Sequence, residues 1–341
     1  MGVGFASASL VTAATAIPLS GIPLSILFGL AVGNTLTLPP SVKPGLTFAT
    51  KTVLQTGIVC VAAKLSFTEL LSTGATGIPV VLSSVTAGML FIPWFGRQLG
   101  VDRPTSLLLT AGTSICGVTA ITALAPSINA PPRAVAVAVG NTVAFGTMGM
   151  LLYPYLAHEI CLTSSHVGMS LGTGIHDTSQ VLGAAASYDQ TFQDPEAMRA
   201  AAVTKLTRNL GLAACIPYLT YVGNKESGEE SSSNPPSDAP PPTISGLSTF
   251  TKYVPPFLYA FLGVSLLRTT ADLLALDAAA PLFDFVGKDC SKYLLGTAMA
   301  GVGLSTKKEA LKGVGYKPFA VGAAGATVVG GTGFAVGSLF C

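Results

Sequence analysis

The chain has 341 residues, of which 10 % are charged and 50 % are hydrophobic, and its mean hydropathy is +0.61. Soluble domains usually contain about a quarter charged residues, so this composition excludes an ordinary soluble protein and indicates a polytopic membrane protein. A formal net charge of +2 gives no sign of nucleic-acid binding. The six cysteines lie far apart and form no CxxC pair, so neither a zinc site nor a redox motif is predicted.

Apolar segments long enough to cross a bilayer recur along the whole chain. Residues 1–40 hold two short ones, about 3–17 and 21–38, and no basic segment precedes the first, so no secretory signal is expected. Abundant glycine and scattered proline favour close-packed, interrupted helices over barrel strands. Further spans are expected at about 45–64, 77–96, 105–128, 134–157, 165–187, 200–222, 254–274, 287–305 and 314–340. The pattern predicts an all-α polytopic membrane protein of ten to eleven helices, with one transport domain over residues 1–341.

Residues 224–245 break this pattern and separate roughly the first two thirds of the chain from the last third. They are rich in serine, proline, glycine and glutamate, a composition that cannot bury a core. We therefore expect a disordered surface loop here.

The stretch from Gly172 to Arg208 concentrates charge inside apolar sequence. It contains His176, Asp177, Lys205 and Arg208. A charge at the middle of a bilayer costs at least about 2.5–3.5 kcal/mol, so such residues usually face a cavity or one another. Lys205 and Arg208 are three residues apart and share a helix face. The stretch predicts a site for a charged ligand, although a capping His-Asp pair and snorkelling cations are the structural alternatives.

A second interrupted segment, Gly112–Gly117, lies within the span expected at 105–128. Glycine at both of its ends weakens helix continuity, and Thr113 and Ser114 offer hydroxyl groups. Irregular backbone at membrane depth persists only where it is buried in protein or lines a cavity. A half-helix that starts here would direct its positive end at an anion. The alternative is a packing surface of small residues.

Two internal similarities suggest a repeated architecture. Residues 64–69 (Lys-Leu-Ser-Phe-Thr-Glu) resemble residues 303–309 (Gly-Leu-Ser-Thr-Lys-Lys-Glu), and residues 112–115 (Gly-Thr-Ser-Ile) resemble residues 172–175 (Gly-Thr-Gly-Ile). On an eleven-helix count the first pair falls on opposite membrane faces. An inverted-topology repeat requires this placement, and such repeats are typical of transporters.

These motifs, taken in order along most of the chain, resemble the YeiH-type family of sulfate exporters. The matching stretches are residues 29–34, Pro44-Gly45 with Lys51, 112–117, Phe145-Gly146 with 152–154, 174–177 with Gln180-Val181, 205–208 and 298–305. The resemblance implies a fold related to the bile-acid symporter and sodium/proton antiporter group, with inverted repeats and crossed, broken helices. It also implies a small inorganic or organic anion as the substrate.

The expected function is therefore secondary transport of a small anion across a lipid bilayer, with H⁺ or Na⁺ as the candidate coupling ion. The expected substrate-binding residues are Gly112, Thr113, Ser114, Cys116, Gly117, Lys205 and Arg208. The expected ion-coupling residues are His176, Asp177 and Gln180, since histidine is the side chain most easily titrated near neutral pH. The rival is a membrane enzyme or regulator that uses His176-Asp177. Against it, a metal site usually needs three or four ligands, and the chain has three dispersed histidines.

No catalytic residue, metal, soluble cofactor or nucleic-acid partner is expected, and the sequence leaves open whether the protein is a homodimer. The plasma membrane is the expected location.

On an eleven-helix count, ten lysines and arginines lie on the side of the N-terminus and six, Arg133 among them, on the other. The positive-inside rule then predicts a cytoplasmic N-terminus and an external C-terminus.

Overall fold

The computed structural model describes residues 21–229, 256–274, 279–306 and 315–340. Within these ranges the chain is helical and has no strand. The helices are α1 Gly21–Thr35, α2 Pro40–Lys64, α3 Phe67–Gln98, α4 Arg103–Ala111, α5 Val118–Leu124, α6 Pro132–Ile160, α7 Ser164–Gly174, α8 Thr178–Phe192, α9 Pro195–Leu210, α10 Leu212–Glu229, α11 Pro256–Leu273, α12 (Ala280–Asp284, Phe285–Cys290 and Ser291–Ser305) and α13 Tyr316–Phe340. The hydrogen bonding widens to π-helical turns at Ala49–Val53 in α2, at Gly112–Cys116 after α4 and at Phe285–Cys290 in α12.

Four of the described helices are long and apolar enough to cross a membrane: Pro40–Lys64, Leu70–Gln98, Pro132–Ile160 and Tyr316–Phe340. Large apolar side chains on their outer faces, such as Leu90 and Leu152, are exposed. Lipid is as apolar as leucine, so these faces suit a bilayer. The all-α membrane class is confirmed. The count of ten to eleven spans is not confirmed: residues 1–20 lie outside the described part, and the segments expected at 105–128 and 165–187 form hairpins.

The bundle has two ends, each named here after one basic residue. At the Arg103 end, Asp102, Arg133 and Lys317 line a shared surface cavity. At the Lys64 end, Lys64 forms an ion pair with Asp189, with the nitrogen and oxygen 3.6 Å apart.

The segment expected to span the membrane at 105–128 is instead a helical hairpin, hairpin 1 (Arg103–Ile128). The Arg103 guanidinium at its start donates to the carbonyl of Val222 at 3.1 Å. At its end, the Ser127 carbonyl accepts from the Asn224 amide at 3.3 Å. Both partners belong to one turn of α10, so the hairpin enters from the Arg103 end and returns to it. As a result α6 also begins at the Arg103 end, which corrects the expected side of Arg133.

The segment expected at 165–187 is a second hairpin, hairpin 2 (Ser164–Phe192), which enters from the Lys64 end. The Ser165 hydroxyl near its start donates to Glu196, which begins α9, at 3.0 Å. Near its finish, the hydroxyl of Tyr188 lies 3.0 Å from His158 Nδ1, and the His158 ring stacks on Phe192. Because His158 ends α6, hairpin 2 returns to the end from which it came.

Interrupted helices were expected from the glycines, and both interruptions are present. They reverse the chain direction, however, whereas the crossed pair that the resemblance implies would continue to the opposite face. A long helix followed by a hairpin occurs twice, as α3 with hairpin 1 and as α6 with hairpin 2, in opposite orientations. Residues 64–68 lie at the Lys64 end and residues 303–306 at the Arg103 end, as the inverted-repeat prediction requires; residues 307–309 lie outside the described part.

The predicted loop at 224–245 starts later than expected, because α10 continues as a helix to Glu229. Its remaining residues, 230–245, lie outside the described part of the chain.

Candidate functional site

The tips of the two hairpins meet in the middle of the bundle. Gly117 joins the π-helical turn to α5 with a backbone φ of +71°, a conformation that side-chain-bearing residues rarely adopt. A Cβ atom on Gly117 would lie 3.1 Å from the Cα and Cβ of Asp177. Glycine is needed here both for the reversal and for the close approach of the second tip.

Lys205 and Arg208 hold the two tips from one face of α9. Both side chains have 0 % exposure. The Lys205 ammonium donates to the carbonyl oxygens of Ile115 at 3.3 Å, Ile175 at 3.2 Å and His176. The Arg208 guanidinium donates to five tip carbonyls, those of Thr113, Ser114, Gly172, Thr173 and Ile175, and it shares the Ile175 carbonyl with Lys205. We call this arrangement the carbonyl clamp.

In the carbonyl clamp, corresponding carbonyl groups of the two tips bind the same cation. The repeated quartets at 112–115 and 172–175 place their isoleucine carbonyls on Lys205 and their threonine carbonyls on Arg208. The short sequence similarity therefore corresponds to a structural one, in which each tip presents the same backbone groups to the same cation.

The carbonyl clamp supplies hydrogen-bond donors for carbonyl groups that are left unpaired where a helix ends inside a membrane protein. The last four carbonyls of a helix have no partner within the helix and carry the negative end of its dipole. Hairpins 1 and 2 both end their first helices at buried positions inside the bundle. Two buried cations satisfy these carbonyls and are themselves satisfied, since a buried charge needs hydrogen-bonding partners.

Beside the tips lies a cavity of about 580 Å³, here called the hairpin cavity. The N-terminal turn of α8 lines it through Thr178, Ser179 and Gln180. Among the described lining residues the charged ones are Lys51, in the π-helical turn of α2, and Asp177. The other polar lining residues are Thr50, Gln55, Cys116, Thr119, Asn209, Ser305 and Thr306.

Asp177 caps α8. Its carboxylate accepts from the Ser179 amide at 2.8 Å and from the Ser179 hydroxyl at 2.5 Å. Among the described ion pairs, none joins Asp177 to Lys205 or Arg208. The donors of both cations are satisfied by the tip carbonyls and not by the Asp177 carboxylate.

Two carboxamides that line the cavity keep a buried oxygen without a hydrogen-bond partner in the described structure. Gln180 donates to Val143 O at 3.3 Å and to the Thr147 hydroxyl at 3.2 Å, while its own oxygen accepts nothing. Asn209 donates to the Thr178 hydroxyl at 3.2 Å, and its oxygen is likewise unmatched. Each can accept from a donor or contact a cation.

The predicted site residues divide into two groups. Of the seven expected to bind substrate, Cys116 lines the hairpin cavity; Gly112, Thr113, Ser114, Gly117, Lys205 and Arg208 are not among its lining residues. Of the three expected to couple an ion, Asp177 and Gln180 line it, whereas His176 is buried at the tip, where neither ring nitrogen has a partner among the described residues. In the described part no three His, Cys, Asp or Glu residues converge in a way that could hold a metal ion.

Lys51 is the site residue that reasoning from the sequence missed. It lies within the span expected at 45–64 and lines the cavity, but it was not among the expected site residues. A lysine within an apolar stretch is the signal that could have found it.

Comparison with known proteins places the chain among membrane proteins. It is 34 % identical over 231 residues to a UPF0324 membrane protein of Ralstonia nicotianae and 36 % identical over 225 residues to one of Yersinia pestis. These matches cover 63 % and 62 % of this chain and 61 % of each relative, so the chain spans about three fifths of their length. A UPF0324 membrane protein of Streptococcus agalactiae is 28 % identical over 309 residues, 90 % of this chain and 87 % of that protein.

No solved structure matches the chain. The model of the family described as conserved hypothetical protein 698 matches residues 2–322. The resemblance to YeiH-type proteins is consistent with this match. The chain thus belongs to the family of conserved hypothetical protein 698, whose relatives named above are UPF0324 membrane proteins.

Proposed function

We propose that this protein is a secondary transporter of a small anion, which binds in the hairpin cavity. The observation behind the proposal is the meeting of two hairpins, from opposite ends of the bundle, beside a polar cavity at mid-depth. Irregular backbone inside a membrane protein is tolerated where it serves such a cavity, and transporters commonly place their substrate sites at interrupted helices of inverted repeats.

Two features give the cavity its preference for anions. Lys51 contributes a positive charge from the wall formed by α2. The N-terminus of α8, a 15-residue helix, opens onto the cavity, and a helix N-terminus attracts anions through its free amide groups and its dipole. Hydroxyl groups of Thr119 and Ser179 add donors for the oxygens of a sulfate-like substrate.

Asp177 couples the binding of the anion to the binding of a proton or a Na⁺ ion. Its carboxylate occupies the same helix end that attracts the substrate, so an incoming anion and an ionised Asp177 repel each other. A proton or a Na⁺ ion bound at Asp177 removes this repulsion and favours anion binding. Gln180 and Asn209 also line this cavity, and each has a carboxamide oxygen without a hydrogen-bond partner in the described structure.

In this proposal Lys205 and Arg208 position the site and do not contact the substrate. They fix the tips, and the tips fix the starts of α5 and α8 at the cavity wall.

The proposal is tested by uptake of labelled sulfate and other small anions into proteoliposomes. Lys51→Gln should weaken sulfate affinity about tenfold or more, because a hydrogen bond to a charged group contributes about 1.5–3 kcal/mol. Lys43→Gln is the matched control: it removes the same charge eight residues away, outside the cavity lining. Equal sulfate affinity in the two variants would reject Lys51 as the anion ligand, and absence of uptake of every anion by the unaltered protein would reject the function.

A further inference from the structure

Helices α2 and α12 run in opposite directions and touch closely near the Lys64 end. A Cβ atom on Gly57 would lie 3.1 Å from the Cβ of Leu294. Seven residues further along α2, the backbone nitrogen of Lys64 lies 3.3 Å from the position of a Cβ on Gly287, which is seven residues back from Leu294 in α12. The two helices therefore keep one register and a close spacing over about two turns.

Cys60 and Cys290 lie opposite each other between these two contacts. Cys60 follows Gly57 by three residues in α2, and Cys290 precedes Leu294 by four residues in α12. Residues at these spacings share a helix face, so both cysteines belong to the faces that meet. The two thiols are also close enough to interact electrostatically.

Both cysteines lie on the outer side of this contact. The residues that follow them, Val61 and Ser291, are buried, with 1 % and 4 % exposure, whereas Cys60 and Cys290 are half-buried free thiols. In two antiparallel helices a step of one residue turns in opposite senses, so the residues that precede two inward-facing ones emerge on the same side. The thiols are therefore neighbours on one side of the helix pair.

From this geometry we infer that Cys60 and Cys290 are a modification site, at which a reversible disulfide joins α2 to α12. A disulfide needs Cβ atoms about 3.5–4.5 Å apart, and the contact of Gly57 with Leu294, one turn away, brings the two helices to such a spacing. The cysteines are about 230 residues apart in the sequence, so their spacing along the chain did not reveal the pair. The inference is independent of the proposed transport of anions.

A small water-soluble disulfide can oxidise the pair. One protein thiolate attacks a sulfur atom of the small disulfide, which releases one small thiol and leaves a mixed disulfide on the protein. The second protein thiolate attacks the sulfur atom of the modified cysteine, so the bond between Cys60 and Cys290 forms and the second small thiol leaves. The protein loses two protons and two electrons in all, and the small disulfide takes them up to become two thiols.

The position of the pair favours this reaction. Lys64 lies one turn from Cys60, and the exposed Lys288 lies two residues from Cys290, so the thiols are near a polar surface at which reactive thiolates can form. Because α13 starts at the Arg103 end with Lys317, the predicted external C-terminus places the Lys64 end outside the cytoplasm. Disulfides form and persist in such oxidising compartments.

The disulfide would restrain two walls of the hairpin cavity. Both helices line that cavity, α2 through Lys51 and α12 through Ser305. The bond also closes a loop of about 230 residues, which restricts the unfolded chain. The oxidised protein should therefore unfold at a higher temperature than the reduced protein.

The first experiment maps disulfides in the unaltered protein. Purified protein in detergent is treated with oxidised glutathione, its free thiols are blocked with N-ethylmaleimide, and its peptides are examined by mass spectrometry. A peptide pair joined through Cys60 and Cys290 is expected, and it should disappear after treatment with dithiothreitol. Recovery of both cysteines as separately blocked or glutathione-bound peptides would overturn the inference.

The second experiment measures how readily the pair forms. A variant that keeps Cys60 and Cys290 and has alanine at the other four cysteines carries a protease site inserted in residues 230–245. After oxidation and cleavage, the bond should hold the two fragments together in SDS without reductant.

The matched control keeps Cys161 and Cys290 instead. Cys161 is also half-buried and belongs to the first fragment, but its sulfur lies 3.6 Å from the Ser170 hydroxyl in hairpin 2. The variant with Cys60 should link its fragments several-fold faster than this control. Equal rates would mean that random collisions join the fragments and would overturn the facing pair.

The unfolding midpoint tests the effect of the bond on stability. Oxidised glutathione should raise the midpoint of the unaltered protein, dithiothreitol should reverse the rise, and Cys60→Ser should abolish it. Linked fragments without any rise would overturn the stabilising effect. Neither measurement depends on anion uptake, so a protein that transports no anion would reject the proposed function and leave this inference standing.

Discussion

Lys205 and Arg208 act on the backbone of two distant segments, and the chemistry of their side chains explains why both types are present. The guanidinium has five donors in a planar fork, which suits the cluster of carbonyls from two tips. The ammonium is a compact charge with three rotatable donors, and here three carbonyls accept from it. Neither side chain can replace the other without leaving buried carbonyls unmatched.

Arg208→Lys should therefore destabilise the protein although it preserves the charge. A lysine at this position cannot bridge the Thr113 and Thr173 carbonyls, and each lost charged hydrogen bond removes about 1.5–3 kcal/mol. The thermal unfolding midpoint in detergent should fall clearly below that of Lys225→Arg, a control at an exposed position. A midpoint equal to the control would show that the carbonyl clamp contributes little.

Lys205→Gln should lose about 3–5 kcal/mol, the usual effect of breaking a buried charged network. If the partner were Asp177, the double change Asp177→Asn with Lys205→Gln would recover the stability. The tip carbonyls remain unmatched in the double variant, so we expect no recovery of the unfolding midpoint. Recovery would contradict the carbonyl clamp and favour a simple charge pair.

At the scale of elements, the chain reversals depend on glycine and on contacts far away in sequence. Gly117→Leu should abolish anion uptake, because its positive φ and the adjacent Asp177 leave no room for a side chain. Gly112→Leu should do the same, since its Cβ would lie 2.7 Å from the Thr142 hydroxyl and 2.8 Å from Ile121. Gly331→Leu is the control, because nothing lies within 4 Å of a Cβ there. Normal uptake in the first two variants would mean that the tips do not shape the transport site.

The interruptions themselves were predictable, and the direction of the chain after them was not. Glycines at 112 and 117 signal a weak point in a helix whether the chain continues or reverses. The reversal is decided by Lys205 and Arg208, about 90 residues later, which bind tip carbonyls. Backbone carbonyl groups are the same at every residue, so the sequence does not show which of them accept hydrogen bonds. Lys205 and Arg208 therefore indicated a buried site, but the carbonyl groups that they bind could not be predicted. Lys51 was missed for a related reason, since its π-helical turn brings it to a cavity that several distant helices complete.

For the molecule as a whole, the two hairpins change which lysines and arginines lie at each end of the bundle, compared with the count made on eleven membrane-spanning helices. The described Arg103 end holds Lys43, Arg97, Arg103, Arg133, Lys225 and Lys317, and the described Lys64 end holds Lys64, Arg199, Arg268, Lys288 and Lys292. The connections 230–255 and 307–314 join helix ends at the Arg103 end and add Lys252, Lys307, Lys308 and Lys312 in sequence. Ten cations against five favour a cytoplasmic Arg103 end.

Because α13 runs from the Arg103 end to the Lys64 end, a reporter fused after Cys341 should lie outside the cytoplasm. A periplasm-active reporter and a cytoplasm-active reporter are fused after the same residue, so that either location of the C-terminus gives a positive signal. A second pair of fusions in the 230–255 connection, expected to be cytoplasmic, serves as the internal control. Cytoplasmic activity of the reporter after Cys341 would reverse the assigned orientation.

The carbonyl clamp also sets an order of assembly during synthesis. Ser114 and Ile115 leave the ribosome about 90 residues before Lys205 and Arg208. At about 5–20 residues per second this gap lasts about 5–20 s. During that time the first tip has no clamp donors, so it cannot rest in a dry membrane interior and must keep contact with water or with the insertion machinery. Hairpin 1 therefore completes its folding only after α9 arrives, although it is made long before.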